Sequence, residues 1–317
     1  MLPPKFEFDR VLHEMKSRHR QKFCHMIGRV DVEALPSDPP YSWLVNYINE
    51  QLSDIGVNST GGRVMPRLHF EMVEVKSDER KAHVFEAQEF TFIVVTQPMV
   101  DEMLKYARRL VKQNWAFMSL QIAPAANQEE IALLIWLMQM LFVTCHEYSH
   151  LVRGHMDQPQ VQMQELDADG YSIYHNMPYF FHGGGNQFAL KTLRTSGDGP
   201  LSNSILSCFI LSIMLQFCAR WVGNPTIESN MVREHPTPPV RIKSALLIVE
   251  MWCREVGSIS TDWMTDGTLK NYYSMVASLL PPDKKTTWDQ HMSWLRSSEG
   301  EKYVDQLMLD YERLRKS

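Results

Sequence analysis

Cysteine is scarce in this sequence and poorly placed for structural work. There are 5 in 317 residues, at Cys24, Cys145, Cys208, Cys218 and Cys253. They are odd in number and scattered, and no two have C-x-x-C spacing, which argues against a disulfide framework and a cysteine zinc cluster alike. Such usage points to a reducing compartment. An excess of one charge is missing too: 32 basic residues face 37 acidic ones, for a net charge of -5. This gives no general attraction to nucleic acid or anionic lipid. The opening stretch MLPPKFEFDRVLHEMKSRHR has no apolar core of the secretory kind, so the expected location is the cytoplasm. No G-x-x-x-x-G-K-[ST], G-x-G-x-x-G or G-x-S-x-G occurs, which removes the usual nucleotide-binding and serine-hydrolase signatures. His182-Gly-Gly-Gly resembles an esterase oxyanion loop, but the serine pentapeptide it would serve is absent.

What is present reads as a globular chain. Hydrophobic residues make up 44% and charged residues 22%, and the mean hydropathy is -0.28. The length suffices for one catalytic unit with extensions. The expected division is an N-terminal helical and loop extension at 1–65, a catalytic domain at 66–250 and a C-terminal helical extension at 251–317. Two apolar runs invite a membrane reading. Ile131 to Cys145 is shorter than the roughly 20 residues a span requires and contains Gln139. Ile205 to Val222 contains Ser207, Ser212, Gln216 and Arg220. Both are expected to be internal helices of a soluble fold. The 20 methionines read as core filler.

Along the chain, Pro36, Pro39 and Pro40 break an early helical region, and Asn58-Ser-Thr-Gly-Gly62 reads as a linker. Arg67 to Val75 alternates as a half-buried strand does, and Phe90 to Thr96 is β-branched and aromatic, so the two are expected in one sheet. Thr96-Gln-Pro-Met offers a hydroxyl cap to a helix from Val100 to Val111. Further helices are expected from Glu129 to Gly154, from Gln160 through Tyr171, from Ser202 to Gly223 and from Val240 to Val256. One or two surface helices should cover Trp288 to Arg315, and His182-Gly-Gly-Gly-Asn186 should be a loop.

The chemistry-bearing signal is Thr144-Cys-His-Glu-Tyr-Ser-His150, an H-E-x-x-H pattern inside a strongly helical stretch. Residues four apart share a helix face, so His146 and His150 can address one metal ion. Glu147, about 100° round the helix, can reach a metal-associated water as general base without ligating. A Cys145–His146 dyad is disfavoured because adjacent helical side chains diverge by the same angle. A third ligand is needed. The metzincin pattern fails, since its glycine and histidine positions hold Arg153 and Met156, and His155 lies off the metal-facing side. Downstream, Glu165 and Asp169 are again four apart. Glu165 can ligate while Asp169 accepts the second ring N–H of a ligand histidine. Carboxylates also favour a helix start for electrostatic reasons alone.

His146 to His150, followed by Glu165 to Asp169 and then by His235-Pro-Thr-Pro-Pro-Val-Arg-Ile242, resembles the gluzincin peptidases of the HtpX-like and CAAX-prenyl type. It also resembles their soluble relatives, the Lit-type phage-exclusion peptidases, which are bacterial cytoplasmic proteins that cleave a host translation factor. The resemblance covers roughly residues 66 to 250. It implies an α+β, zincin-like fold, with a small, mainly antiparallel sheet packed on an active-site helix and a largely helical remainder. It implies Zn2+ held by His146, His150 and Glu165, with Asp169 behind the ligands. His235 would lie near the metal as a removable ligand or oxyanion stabiliser, and Arg241 would pair with a carboxylate. His235 and Arg241 could equally anchor a proline-rich loop.

The expected function is zinc-dependent endopeptidase, acting on a protein or peptide substrate, with a regulatory protein partner as a further expectation and a role in phage defence by analogy. The competing classes are a catalytically silent metal-binding regulator with the same scaffold and a zinc hydrolase acting on a small molecule. In the peptidase reading, Phe90 to Thr96 would offer a sheet edge to an extended substrate.

Overall fold

The computed structural model describes residues 5–18, 20–59, 67–87, 90–121, 127–155, 162–193, 201–221, 225–227, 236–257 and 259–316. It divides into two compact units: residues 1–102 with the short stretch 150–154, and residues 103–149 with 155–317.

In the first unit, α1 (Lys5–Arg18), α2 (Arg20–Phe23), β1 (Met26–Arg29) and α3 (Tyr41–Ser59) precede β2 (Arg67–Val75), β3 (Ala82–Ala87) and β4 (Phe90–Thr96). The sheet order is β1-β2-β4-β3. Its outer pairings, β1 with β2 and β3 with β4, are antiparallel, whereas β2 and β4 run parallel. The class is α+β, with a small mixed sheet. β4 is buried at every residue, as expected of a strand that reads as one unbroken apolar run. Phe8, Val11 and Leu12 of α1 join Phe85, Phe92 and Val94 of the sheet in one cluster, with the rings of Phe8 and Phe92 edge to face at 5.3 Å. On α3, the Asn49 side chain accepts from the Phe70 amide and donates to the Phe70 carbonyl, both at 2.9 Å.

Three expectations need correction. First, β4 lies between β2 and β3, so Phe90 to Thr96 has no free edge for a substrate; the sheet edges are β1 and β3. Second, the Thr96 hydroxyl, expected to cap the helix that follows, is bound to the turn before β3. It donates to the Glu79 carbonyl at 2.6 Å and accepts from the Lys81 amide at 3.0 Å. Third, the glycines after His182 do not form a loop. A single bend at Gly183 joins α6 (Gln162–His182) to α7 (Gly184–Leu193). A Cβ on Gly185 would come within 2.5 Å of the Tyr179 ring, so glycine is needed there for close helix approach. Of the Asn58–Gly62 linker, Asn58 and Ser59 end α3, and positions 60–62 lie outside the described residues.

The remaining helices are α4 (Gln97–Gln121), which crosses from one unit to the other, α5 (Gln128–Val152), α8 (Leu201–Ala219), α9 (Pro238–Val256), α10 (Asp266–Ala277), α11 (Pro282–Trp294) and α12 (Ser298–Lys316). α5 and α8 are long and apolar enough to cross a membrane, but 94% and 83% of their most apolar windows are buried inside the protein. That is the behaviour of core helices. In the second unit, α6 packs against α7, α8, α9 and α12, and α11 packs against α9. α12 is more than a surface helix, for Val304, Leu307 and Tyr311 are all buried.

Two features of this packing give measurable consequences. A Cβ on Gly170 of α6 would lie 2.3 Å from the Tyr311 hydroxyl of α12. Gly170→Ala should therefore destabilise by about 1–3 kcal/mol through overpacking, despite alanine's better helix propensity. In a Tyr311→Ala background the same change should be neutral or stabilising, a sign reversal that urea unfolding of the double-mutant cycle reads directly.

Glu71 on β2 is buried, 2.9 Å from the Arg29 guanidinium. Burial pushes its carboxyl from 4.5 up to about 7, with Arg29 opposing the rise. Between those values the folded protein keeps a proton that the unfolded chain has released. The contribution to stability is full below pH 4.5 and is lost as the pH rises through 7. Glu71→Gln should flatten the wild-type decline in unfolding free energy between pH 5 and 8, by on the order of 3 kcal/mol at the limit.

Candidate metal centre

The last two turns of α5 carry Thr144 to His150, and every one of these residues is buried. Two of the buried hydroxyls find partners in the helix itself. Thr144 donates to the Met140 carbonyl and Ser149 to the His146 carbonyl, both at 2.7 Å. The first turn of α6 brings Glu165 alongside, and Asn176 further along α6 reaches the Leu141 carbonyl of α5 at 3.5 Å.

His146, His150 and Glu165 each offer one ligand atom, and these three atoms lie within 4.8 Å of one another. The group is buried throughout and could hold a metal ion. His146 Nε2 is 3.4 Å from Glu165 Oε2, and on the far side of the ring Nδ1 is 3.0 Å from Asp169 Oδ1. The carboxylate of Asp169 therefore fixes the orientation of the His146 ring and leaves Nε2 on the side of Glu165, an arrangement compatible with a metal-ligating imidazole.

Asp169 is itself held. Arg241 of α9 donates through Nε and Nη2 to its two oxygens at 2.9 and 2.6 Å, a bidentate pair. The same guanidinium places Nη1 3.5 Å from Glu165 Oε2 and lies over the Phe217 ring at 4.4 Å. Burial alone would raise the Asp169 carboxyl, but Arg241 and His146 hold it below the ordinary carboxylate value. For His146 burial works downward, yet the carboxylates of Asp169 and Glu165 prevail and push it up to about 9. The surroundings of this ring strongly favour positive charge.

Glu147 is buried, with Oε1 3.9 Å from Nη2 of Arg220. Burial pushes the Cys145 thiol up to about 12, with Asn176 opposing, which leaves it inert as a nucleophile. His155 is paired with Asp167 at 3.2 Å and is not part of the ligand group. His235 lies outside the described residues. Reasoning from sequence missed Arg220 and the Phe217 ring beneath Arg241. Arg220 figured only as a polar interruption of an apolar run, and no spacing linked it to Glu147.

Comparison with protein-family models, curated proteins and solved structures finds no match to this chain.

The centre predicts a definite metal stoichiometry. The protein should carry about one equivalent of divalent metal by mass spectrometry, His146→Ala should carry none, and Asp169→Asn should bind about 10–100-fold more weakly. Equal and negligible metal in wild type and His146→Ala would eliminate the site.

Proposed function

We propose that the protein is a zinc-dependent endopeptidase. The observation that carries this reading is the convergence of His146, His150 and Glu165 on one point, with a further buried acid, Glu147, on the same helix as the two histidines and outside the ligand set. A purely structural site would have no use for that extra carboxylate.

The donor set fits zinc. Two imidazoles and a carboxylate form a recurrent catalytic triple that leaves one position open. Bonds of about 2.0–2.1 Å in a tetrahedron put neighbouring ligand atoms about 3.3–3.4 Å apart, and the His146–Glu165 pair stands at 3.4 Å. Bound there, zinc would polarise a carbonyl and bring the pKa of water to about 7.

The chain's own residues supply the rest. Glu147 takes a proton from water as its oxygen attacks the peptide carbonyl carbon, then returns that proton to the amine nitrogen as the C–N bond breaks. Asp169 holds Nδ1 of His146, so that Nε2 faces Glu165. Arg241 offsets the charge of Asp169 and Glu165, so that both acids tolerate burial. The resemblance of the three motifs to gluzincins supports this reading, and free thiols, four of the five buried, fit a reducing cytoplasm. The substrate would be an exposed, flexible protein segment.

The test is hydrolysis of an unfolded protein such as casein by the zinc-loaded chain. Cleavage should stop with a chelator and return with zinc. Glu147→Gln should retain the metal and lose about 10²–10⁴-fold in rate. A fully metal-loaded wild type that cleaves nothing would leave the catalytically silent regulator as the reading.

A further inference from the structure

Two arginines approach this site, and they are bound in different ways. Arg241 is committed to Asp169 and Glu165 and stacked on Phe217. Arg220 approaches Glu147 at 3.9 Å, beyond hydrogen-bond range, and its side chain is 23% exposed. A guanidinium has five N–H donors. Arg220 is thus a partly solvated cation beside the acid that would act as general base, held there without a tight pairing.

Its backbone, by contrast, is firmly anchored. The Arg220 amide donates to the Gln216 carbonyl and the Trp221 amide to the Cys218 carbonyl, both at 3.2 Å. The Trp221 carbonyl accepts from Lys284 Nζ of α11, and the Trp221 ring lies 6.2 Å from that of Trp288 on the same helix. A fixed root with a lightly held head suits a residue that must meet an incoming group.

We propose that Arg220 is a catalytic residue that donates to the oxygen of the carbonyl under attack; this rests on the peptidase reading. A general base works within about 2.6–3.2 Å of the proton it takes, and the attacked carbon stands about 3–3.5 Å from the water. The carbonyl oxygen must therefore lie within about 8 Å of Glu147, a region that includes the Arg220 guanidinium at 3.9 Å. As the water oxygen bonds to carbon and loses a proton to Glu147, the C=O π pair moves onto the carbonyl oxygen and Arg220 stabilises its charge; the pair returns as the C–N bond breaks and Glu147 hands that proton to nitrogen. Preorganised donors of this kind typically contribute about 10²–10³ in rate.

The test uses the cobalt-substituted full chain, titrated with inorganic phosphate and, separately, with neutral imidazole, and read by visible absorption. Arg220→Ala should weaken phosphate binding at least about tenfold while leaving imidazole affinity and metal content unchanged, and Arg220→Lys should recover part of the loss. In the casein assay Arg220→Ala should lower kcat about 10²–10³-fold with little change in KM. Unchanged phosphate affinity, or an equal loss for both ligands, would overturn the role of Arg220 even with hydrolysis intact. Failure of the wild type to cleave would instead count against the peptidase reading itself.

Discussion

The bidentate pair between Arg241 and Asp169 is the constraint on which the centre depends. Asp169 and Glu165 are almost wholly buried, and an unpaired buried carboxylate would cost several kcal/mol. Arg241 answers both acids from α9 while its flat face rests on Phe217. Asp169 then reaches His146 on α5. The consecutive helices α5 and α6 and the remote α9 are thus joined through one chain of charges, and the Asp169 carboxylate that orients His146 is held by a residue 72 positions downstream. Losing any member would strand the charge of another, which makes the geometry of the ligands and the folding of this unit the same problem.

The helices beyond residue 251 take part in that problem. Tyr311 of α12 fills the space opposite Gly170, one residue after Asp169, and Tyr303 donates to Gln162 at the start of α6 at 2.7 Å. From α11, Lys284 and Trp288 hold Trp221 just after α8. His291 of the same helix is buried, with Nε2 3.1 Å from the Pro225 carbonyl and Nδ1 3.4 Å from the Thr237 hydroxyl, so it spans both ends of the segment leading into α9. Composition could mark this tail as helical. Which inner residues it steadies depends on tertiary contacts that no local pattern encodes.

What could be read from sequence was whatever a helical repeat makes local. His146 and His150, like Glu165 and Asp169, are four apart, and that spacing alone puts each pair on one face. The apolar runs of α5 and α8 were legible as core helices because their polar interruptions are the wrong kind for lipid. Arg220 was illegible for the converse reason: its partner Glu147 is 73 positions away, and an arginine ending an apolar helix is common for many purposes. β1 and β3 were missed because they are short and carry little alternation, and without them the interior position of β4 could not be foreseen. The glycines after His182 misled because glycine signals both freedom and closeness. Here the neighbouring Tyr179 ring shows it to be closeness.

The balance of charge ties the proposed chemistry to the observed packing. The three acids Glu147, Glu165 and Asp169 face two guanidiniums, Arg220 and Arg241, which leaves an excess of one negative charge when the histidines are neutral. A divalent ion at the His146–His150–Glu165 point would turn that excess into one positive charge. Such a sign suits the negative oxygen that the proposed acyl transfer would develop. The two guanidiniums differ in place: Arg241 donates to the acids that shape the centre, whereas Arg220 lies beside Glu147, the proposed base. The lock and the reactive cation would then be separate residues, so one can change without releasing the other.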